Sequence, residues 1–158
     1  MIDRISIINI LTELSELYDY WILTGSCSDM FNIGYNDIED IDIIVEANNF
    51  YAIDLPKEKF NLIYSLKHKK DSHLLNRYLY NSIQIDILVK TLLQTDISTV
   101  DIDLGNNNKI KSCDINTRYL QLINHNYKES FSNYDIKIKK VQERILKYKN
   151  LLFADSRD

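Results

Sequence analysis

The chain has 158 residues, 45% of them hydrophobic and 27% charged, which predicts one domain, 1–158, with a sizeable core. Three glycines and one proline exclude collagen-like, mucin-like and loop-rich scaffolds, and no apolar run approaches the roughly 20 residues of a membrane helix. A net charge of −4 excludes a global basic footprint for nucleic-acid backbone and leaves only a local one open.

Ile7, Ile10, Leu11, Leu14, Leu17 and Tyr18 recur at helical spacing and predict an amphipathic helix over 3–18. Tyr20-Trp21-Ile22-Leu23-Thr24 reads as a strand that stops at Gly25-Ser26, and Cys27 to Ile33 as one or two helical turns. After a turn-rich loop at 34–37, residues 38–45 alternate as a strand, and Asn48 or Asn49 is the expected cap of a short helix. Residues 61–67 and 73–80 read as an antiparallel meander, and 83–89 as another strand. Val100 to Leu104 and Lys109 to Cys113 flank Gly105-Asn106-Asn107-Asn108, a hairpin pattern. Asp114 or Asn116 opens a helix to about Tyr127, and a last helix covers about Tyr134 to Phe153 with Val141, Ile145, Tyr148 and Leu152 on one face. The order predicts an α+β fold: a small mixed sheet flanked by helices, largely on one side, with a core over about 3–113 and C-terminal helices over about 114–153.

Alternation in the 38–45 strand puts Asp40 and Asp42 on one face and Ile41 and Ile43 on the other. Two carboxylates roughly 7 Å apart along a strand repel each other unless a cation lies between them. Mg²⁺ suits such a pair, because it takes carboxylate oxygens and leaves positions for phosphate and water. Asp86, in Ile85-Asp86-Ile87, adds a third carboxylate if its strand lies alongside. Upstream, Gly25 permits close approach of the backbone to an anion, and Ser26 offers a hydroxyl at the start of the following helical turns. Asp101-Ile102-Asp103 has the same form as Asp40-Ile41-Asp42 but lacks a Gly-Ser turn before it, and reads as a solvated strand face.

The combination of Leu23-Thr24-Gly25-Ser26, a spacer, Asp40-Ile41-Asp42-Ile43 and the later Asp86 resembles the nucleotidyltransferase superfamily that includes DNA polymerase β and kanamycin nucleotidyltransferase. The likeness covers about residues 20–90. The short chain and its hairpin followed by two helices look more loosely like the small lincosamide nucleotidyltransferases. The resemblance implies the nucleotidyltransferase fold. It also implies that Asp40 and Asp42 ligate the Mg²⁺ of a nucleoside triphosphate, with ATP the expected donor, and that Gly25 and Ser26 position its phosphates. Asp86 then ligates a second metal, accepts a proton from the acceptor hydroxyl, or both. The implied reaction moves a nucleoside monophosphate to a hydroxyl of a small, antibiotic-like acceptor and releases pyrophosphate. Toxin-type transfer to tRNA or protein, phosphocholine transfer, and a non-catalytic nucleotide-binding domain are the alternatives.

Arg77, on the strand before Asp86, is a candidate phosphate ligand in the same cleft. Lys67, Lys69 and Lys70 form a basic cluster that reads as a solvated strand end, and His68, His73 and His125 lack metal-site spacing. Lys139, Lys140, Arg144 and Lys147 read as a solvated helix face, and the eleven tyrosines as half-buried packing residues. Cys27 reads as a small buried filler. Two cysteines without CxxC spacing form no disulfide framework, and Met1-Ile2-Asp3-Arg4 does not open a signal peptide, so the cytoplasm is the expected location. A homodimer is expected, because so short a chain has little surface left to enclose an acceptor.

Overall fold

The computed structural model describes residues 1–67, 74–90, 96–124 and 134–154. Helix α1 spans Arg4–Leu17, opened by Asp3, whose carboxylate accepts from the backbone N–H of Ser6 at 2.8 Å. Strand β1 (Ile22–Thr24) runs directly into α2 (Gly25–Ile33), a longer helix than the sequence suggests, which ends on Gly34 in the left-handed region. β2 follows over Asp40–Val45, two residues later than the start of its alternating pattern. The short helix α3 (Ala47–Phe50) is not capped by Asn48 or Asn49: Glu46 holds the cap position, without a side-chain bond.

β3 (Asn61–Lys67), β4 (Leu74–Tyr80) and β5 (Ile83–Val89) form the expected meander. Asn81 and Ser82 turn the chain between β4 and β5 with positive φ, as a tight two-residue hairpin requires. Asn106 and Asn107 do the same between β6 (Thr99–Gly105) and β7 (Asn108–Cys113). Asp114 caps α4 (Ile115–Asn124) by accepting from the N–H of Thr117 at 2.9 Å, and α5 spans Tyr134–Leu152. His68, His73, His125, Lys69 and Lys70 lie outside the described residues, as do the side chain of Lys67 and the expected end of α4 near Tyr127.

The seven strands form one mixed sheet in the order β3-β4-β5-β2-β1-β7-β6. β2 and β5 are parallel neighbours at its centre, and β1 pairs antiparallel with β2 and parallel with β7. This is the mixed α+β architecture that the alternation and the helical periods imply. Ile41, Ile43 and Val45 of β2 and Ile85, Ile87 and Val89 of β5 share one face and pack with Ile7, Ile10, Leu11 and Leu14 of α1 in the main core. Each such fully buried aliphatic chain contributes about 1.5–3 kcal/mol relative to exposure. That face fixes the strand register, and the register leaves Asp40, Asp42 and Asp86 on the other face. A second, smaller cluster joins Leu122 of α4 to Val141 and Tyr148 of α5, with Ile33 of α2 packed against it. No helix among the described residues is long and apolar enough to cross a membrane.

Candidate active site

Pairing across the sheet builds a continuous row of side chains on the face opposite the main core. Thr24 of β1 stands opposite Asp42 of β2, Asp42 opposite Asp86 of β5, Asp86 opposite Arg77 of β4, and Arg77 opposite Tyr64 of β3. Asp40 and Gln84, facing each other one step along the same strands, complete the patch. Sequence positions spread over more than sixty residues thus meet because β2 and β5 are in-register parallel neighbours.

One oxygen from each of Asp40, Asp42 and Asp86 lies within 4.8 Å of the other two. Burial raises the pKa of Asp42 well above the carboxylate range, and the charges of Asp40 and Asp86 push it further. Asp40 is raised by the same causes, burial first and then Asp86. The polypeptide offsets this charge only in part. The Arg77 guanidinium donates from Nε and Nη2 to the two oxygens of Asp86, at 2.8 and 3.0 Å, and its carbon sits 5.9 Å from the Tyr64 ring centroid. Gln84 Nε2 donates to Asp86 Oδ2 at 3.3 Å and to Asp40 Oδ2 at 3.5 Å. A cluster of converging carboxylates with one compensating guanidinium suits a divalent ion that prefers oxygen donors. The donor set of Asp40, Asp42 and Asp86 is therefore compatible with a divalent cation.

Gly25 sits against this cluster. Its φ is +68°, a left-handed conformation that costs other residues roughly 1–2 kcal/mol. A Cβ built there would lie 2.4 Å from Asp42 Oδ2. The glycine is thus required twice, for backbone conformation and for the close approach of a carboxylate. Ser26 is the next residue of α2, half-buried, at the end of the helix whose unpaired N–H groups favour anions. Cys27 is fully buried, its thiol set 3.4 Å from the carbonyl oxygen of Asp40, and burial pushes its pKa far up, so it is packing rather than a nucleophile.

Directly behind α2 lies a group of residues that sequence reasoning missed. Asp29 is fully buried and accepts from Arg118 at Nε (2.7 Å) and Nη2 (2.9 Å), from Arg144 Nη1 at 2.6 Å, and from the Tyr148 hydroxyl. These contacts hold the Asp29 carboxyl below its usual pKa despite the opposing cost of burial. Arg144, expected on a solvated face, is therefore largely buried, and its guanidinium carbon also lies 4.5 Å from the Tyr35 ring centroid. Lys140, expected beside it, pairs with Asp37, whereas Lys139 and Lys147 are exposed as expected. Tyr148 is not merely packing, since its hydroxyl is part of the buried network. The only local hint was Asp29 itself, a carboxylate between the buried Ser28 and Met30 on a short helix.

No family model and no curated protein matches the chain. Among solved structures, it is similar to a crystal structure of a Thermotoga maritima protein provisionally described as a nucleotidyltransferase. That similarity covers 90% of this chain and 96% of the other, with a TM-score of 0.61 and 14% sequence identity. At such identity the likeness is one of fold: this chain folds as a mixed sheet with flanking helices of the nucleotidyltransferase type.

Proposed function

We propose that the protein is a divalent-cation-dependent nucleotidyltransferase, which moves a nucleoside monophosphate from a nucleoside triphosphate to a hydroxyl group. The convergence of Asp40, Asp42 and Asp86 beside a left-handed Gly25, on a fold shared with a protein of that description, is the observation that carries the reading. Asp40, Asp42 and Asp86 would hold Mg²⁺, which when bound neutralises triphosphate charge and makes the acceptor hydroxyl more acidic. The residues of the chain do the rest. Gly25 lets the backbone approach the phosphates, and Ser26 with the first N–H groups of α2 hydrogen-bonds their oxygens. Arg77 keeps Asp86 turned into the cluster through two hydrogen bonds and adds positive charge on the same face.

The acceptor oxygen forms a bond to the α-phosphorus while the bond from that phosphorus to the bridging oxygen of the β-phosphate breaks, and pyrophosphate leaves. The hydroxyl proton passes to Asp86 or to water. Catalysis comes mainly from positioning and from electrostatic stabilisation that is in place before reaction. ATP is the donor we expect, and a small hydroxyl-bearing molecule the acceptor. A net charge of −4 weighs against tRNA. A second copy of the chain would help to enclose the acceptor, which sedimentation during turnover would register.

The test uses α-³²P-labelled nucleotides with Mg²⁺ and three fractions of cell extract: metabolites, RNA and protein. Label transferred to a metabolite by the wild type and not by Asp42→Asn is the expected result. Label in the RNA or protein fraction would select the toxin-type reading. No transfer, together with no Mg²⁺-dependent nucleotide binding by calorimetry, would overturn the proposal.

A further inference from the structure

The glycine turn is held at both ends by one helix. Thr24, the last residue before the turn, donates from its hydroxyl to Gln121 Oε1 at 2.9 Å. The same Oε1 accepts from Arg118 Nη1 at 2.7 Å. Arg118 in turn donates from Nε and Nη2 to Asp29, four residues beyond Gly25. Arg118 and Gln121 are one turn apart on α4, so a single helix face grips β1 at Thr24 and α2 at Asp29, with Gly25 and Ser26 between. Arg144 and Tyr148 of α5 secure the far side of Asp29. Opposite the grip, the Asp42 carboxylate lies against Gly25 so closely that no side chain fits between them.

We infer that Gln121 is a positioning residue for nucleotide binding: with Arg118 it forms a clamp that fixes the Gly25-Ser26 turn at the distance from Asp42 that a metal-bound triphosphate requires. This rests on the function proposed above, but the clamp itself is a mechanical statement about the turn. Gln121 does not need to touch the substrate. Its Oε1 takes two donors at once, and an apolar replacement would leave the Thr24 hydroxyl and the Arg118 Nη1 without that acceptor. Glutamate at this position retains the accepting oxygen, and a carboxylate beside Arg118 strengthens that bond. The half-buried Gln121 is also the safer place to test the network, because loss of Arg118 would strand the buried charge of Asp29.

The experiment compares wild type, Gln121→Met and Gln121→Glu in two measurements. Amide hydrogen exchange reads the turn without any ligand: Gln121→Met should accelerate exchange within residues 25–28 at least tenfold, relative to the β2 and β5 amides, and Gln121→Glu should restore protection. Calorimetry with ATP and Mg²⁺ reads binding: Gln121→Met should weaken nucleotide affinity about tenfold or more, with Gln121→Glu close to wild type. Unchanged exchange in Gln121→Met would overturn the clamp, whatever the nucleotide result. Faster exchange with unchanged nucleotide affinity would overturn the positioning role. Wild-type protein that binds no nucleotide would overturn the proposed function and the positioning role with it, while the exchange data still decide the clamp.

Discussion

The chain contains the tripeptide Asp-Ile-Asp on a strand twice, and the two copies have opposite fates. At 40–42 it lies on β2, flanked by β1 and β5, and its carboxylates meet Asp86 across the parallel pair. At 101–103 it lies on β6, the edge strand, and both carboxylates are exposed. There Asp101 stands opposite Lys111 and Asp103 opposite Lys109, while Asp103 accepts from the N–H of Gly105 at 2.8 Å. The same tripeptide on a strand therefore gives either a converging acidic cluster or an exposed hairpin face. Neighbouring strands make the difference: a central strand brings a third carboxylate and partial burial, while an edge strand brings lysines and leaves both carboxylates exposed.

The sharpest way to break this contrast is Asp42→Asn. Transfer should fall by at least ~10²-fold, as when a single preorganised electrostatic group is removed from an active site. Because a carboxylate crowded by two others is replaced by a neutral amide, the metal-free variant should melt no lower than wild type. A large fall in melting temperature would assign Asp42 a structural role instead.

Gly25→Ala tests the other wall of the pocket. Its left-handed φ alone costs about 1–2 kcal/mol, and the new Cβ would crowd Asp42 Oδ2. Both urea stability and nucleotide affinity should drop. Unchanged values would mean that the turn is not tight against the carboxylate.

A pH series refines the account of stored repulsion. Asp42 and Asp40 have native pKa values raised above their unfolded ones, so the native state binds protons more tightly there. Stability from these two groups is retained at pH below about 4, where both states are protonated, and falls as pH rises from there through the raised native values. The melting temperature of metal-free wild type, relative to Asp42→Asn, should therefore decline as pH rises above the ordinary carboxylate range. Mg²⁺ should raise it more at pH 8 than at pH 5. Parallel curves for the two proteins would show that neither burial nor the neighbouring carboxylates raise the pKa of Asp42 in the native state.

The smallest effect belongs to the control copy. Asp101→Asn should leave turnover unchanged and stability within about 0.5 kcal/mol, as for most exposed substitutions. Loss of transfer in this variant would remove the distinction between the two tripeptides.

The nucleotidyltransferase-like elements were readable because their signals are local. Alternation around Ile41, Ile43, Ile85 and Ile87 gave the strands and their inward faces, and with them the shared face of Asp40 and Asp42. Gln84 was available by the same rule, since it lies two residues from Asp86 on the same strand. Arg77 was readable as a neighbour of the cleft, but not as the bidentate partner of Asp86, which depends on the register of β4 against β5. Arg144 was misplaced for a related reason. Helical periodicity says which residues share a face, not what that face meets, and here it meets a carboxylate 115 positions away.

By itself, the sequence determined the strands and helices, the composition of the acidic motif and the glycine that must precede it, because backbone conformation and face alternation are properties of neighbouring residues. Only the tertiary structure decided which Asp-Ile-Asp became a pocket, that Asp29 is neutralised by two arginines, and that α4 holds the turn from behind. Those outcomes depend on strand order, burial and long-range charge pairing, and burial is what turns an ordinary carboxylate into one that needs a partner.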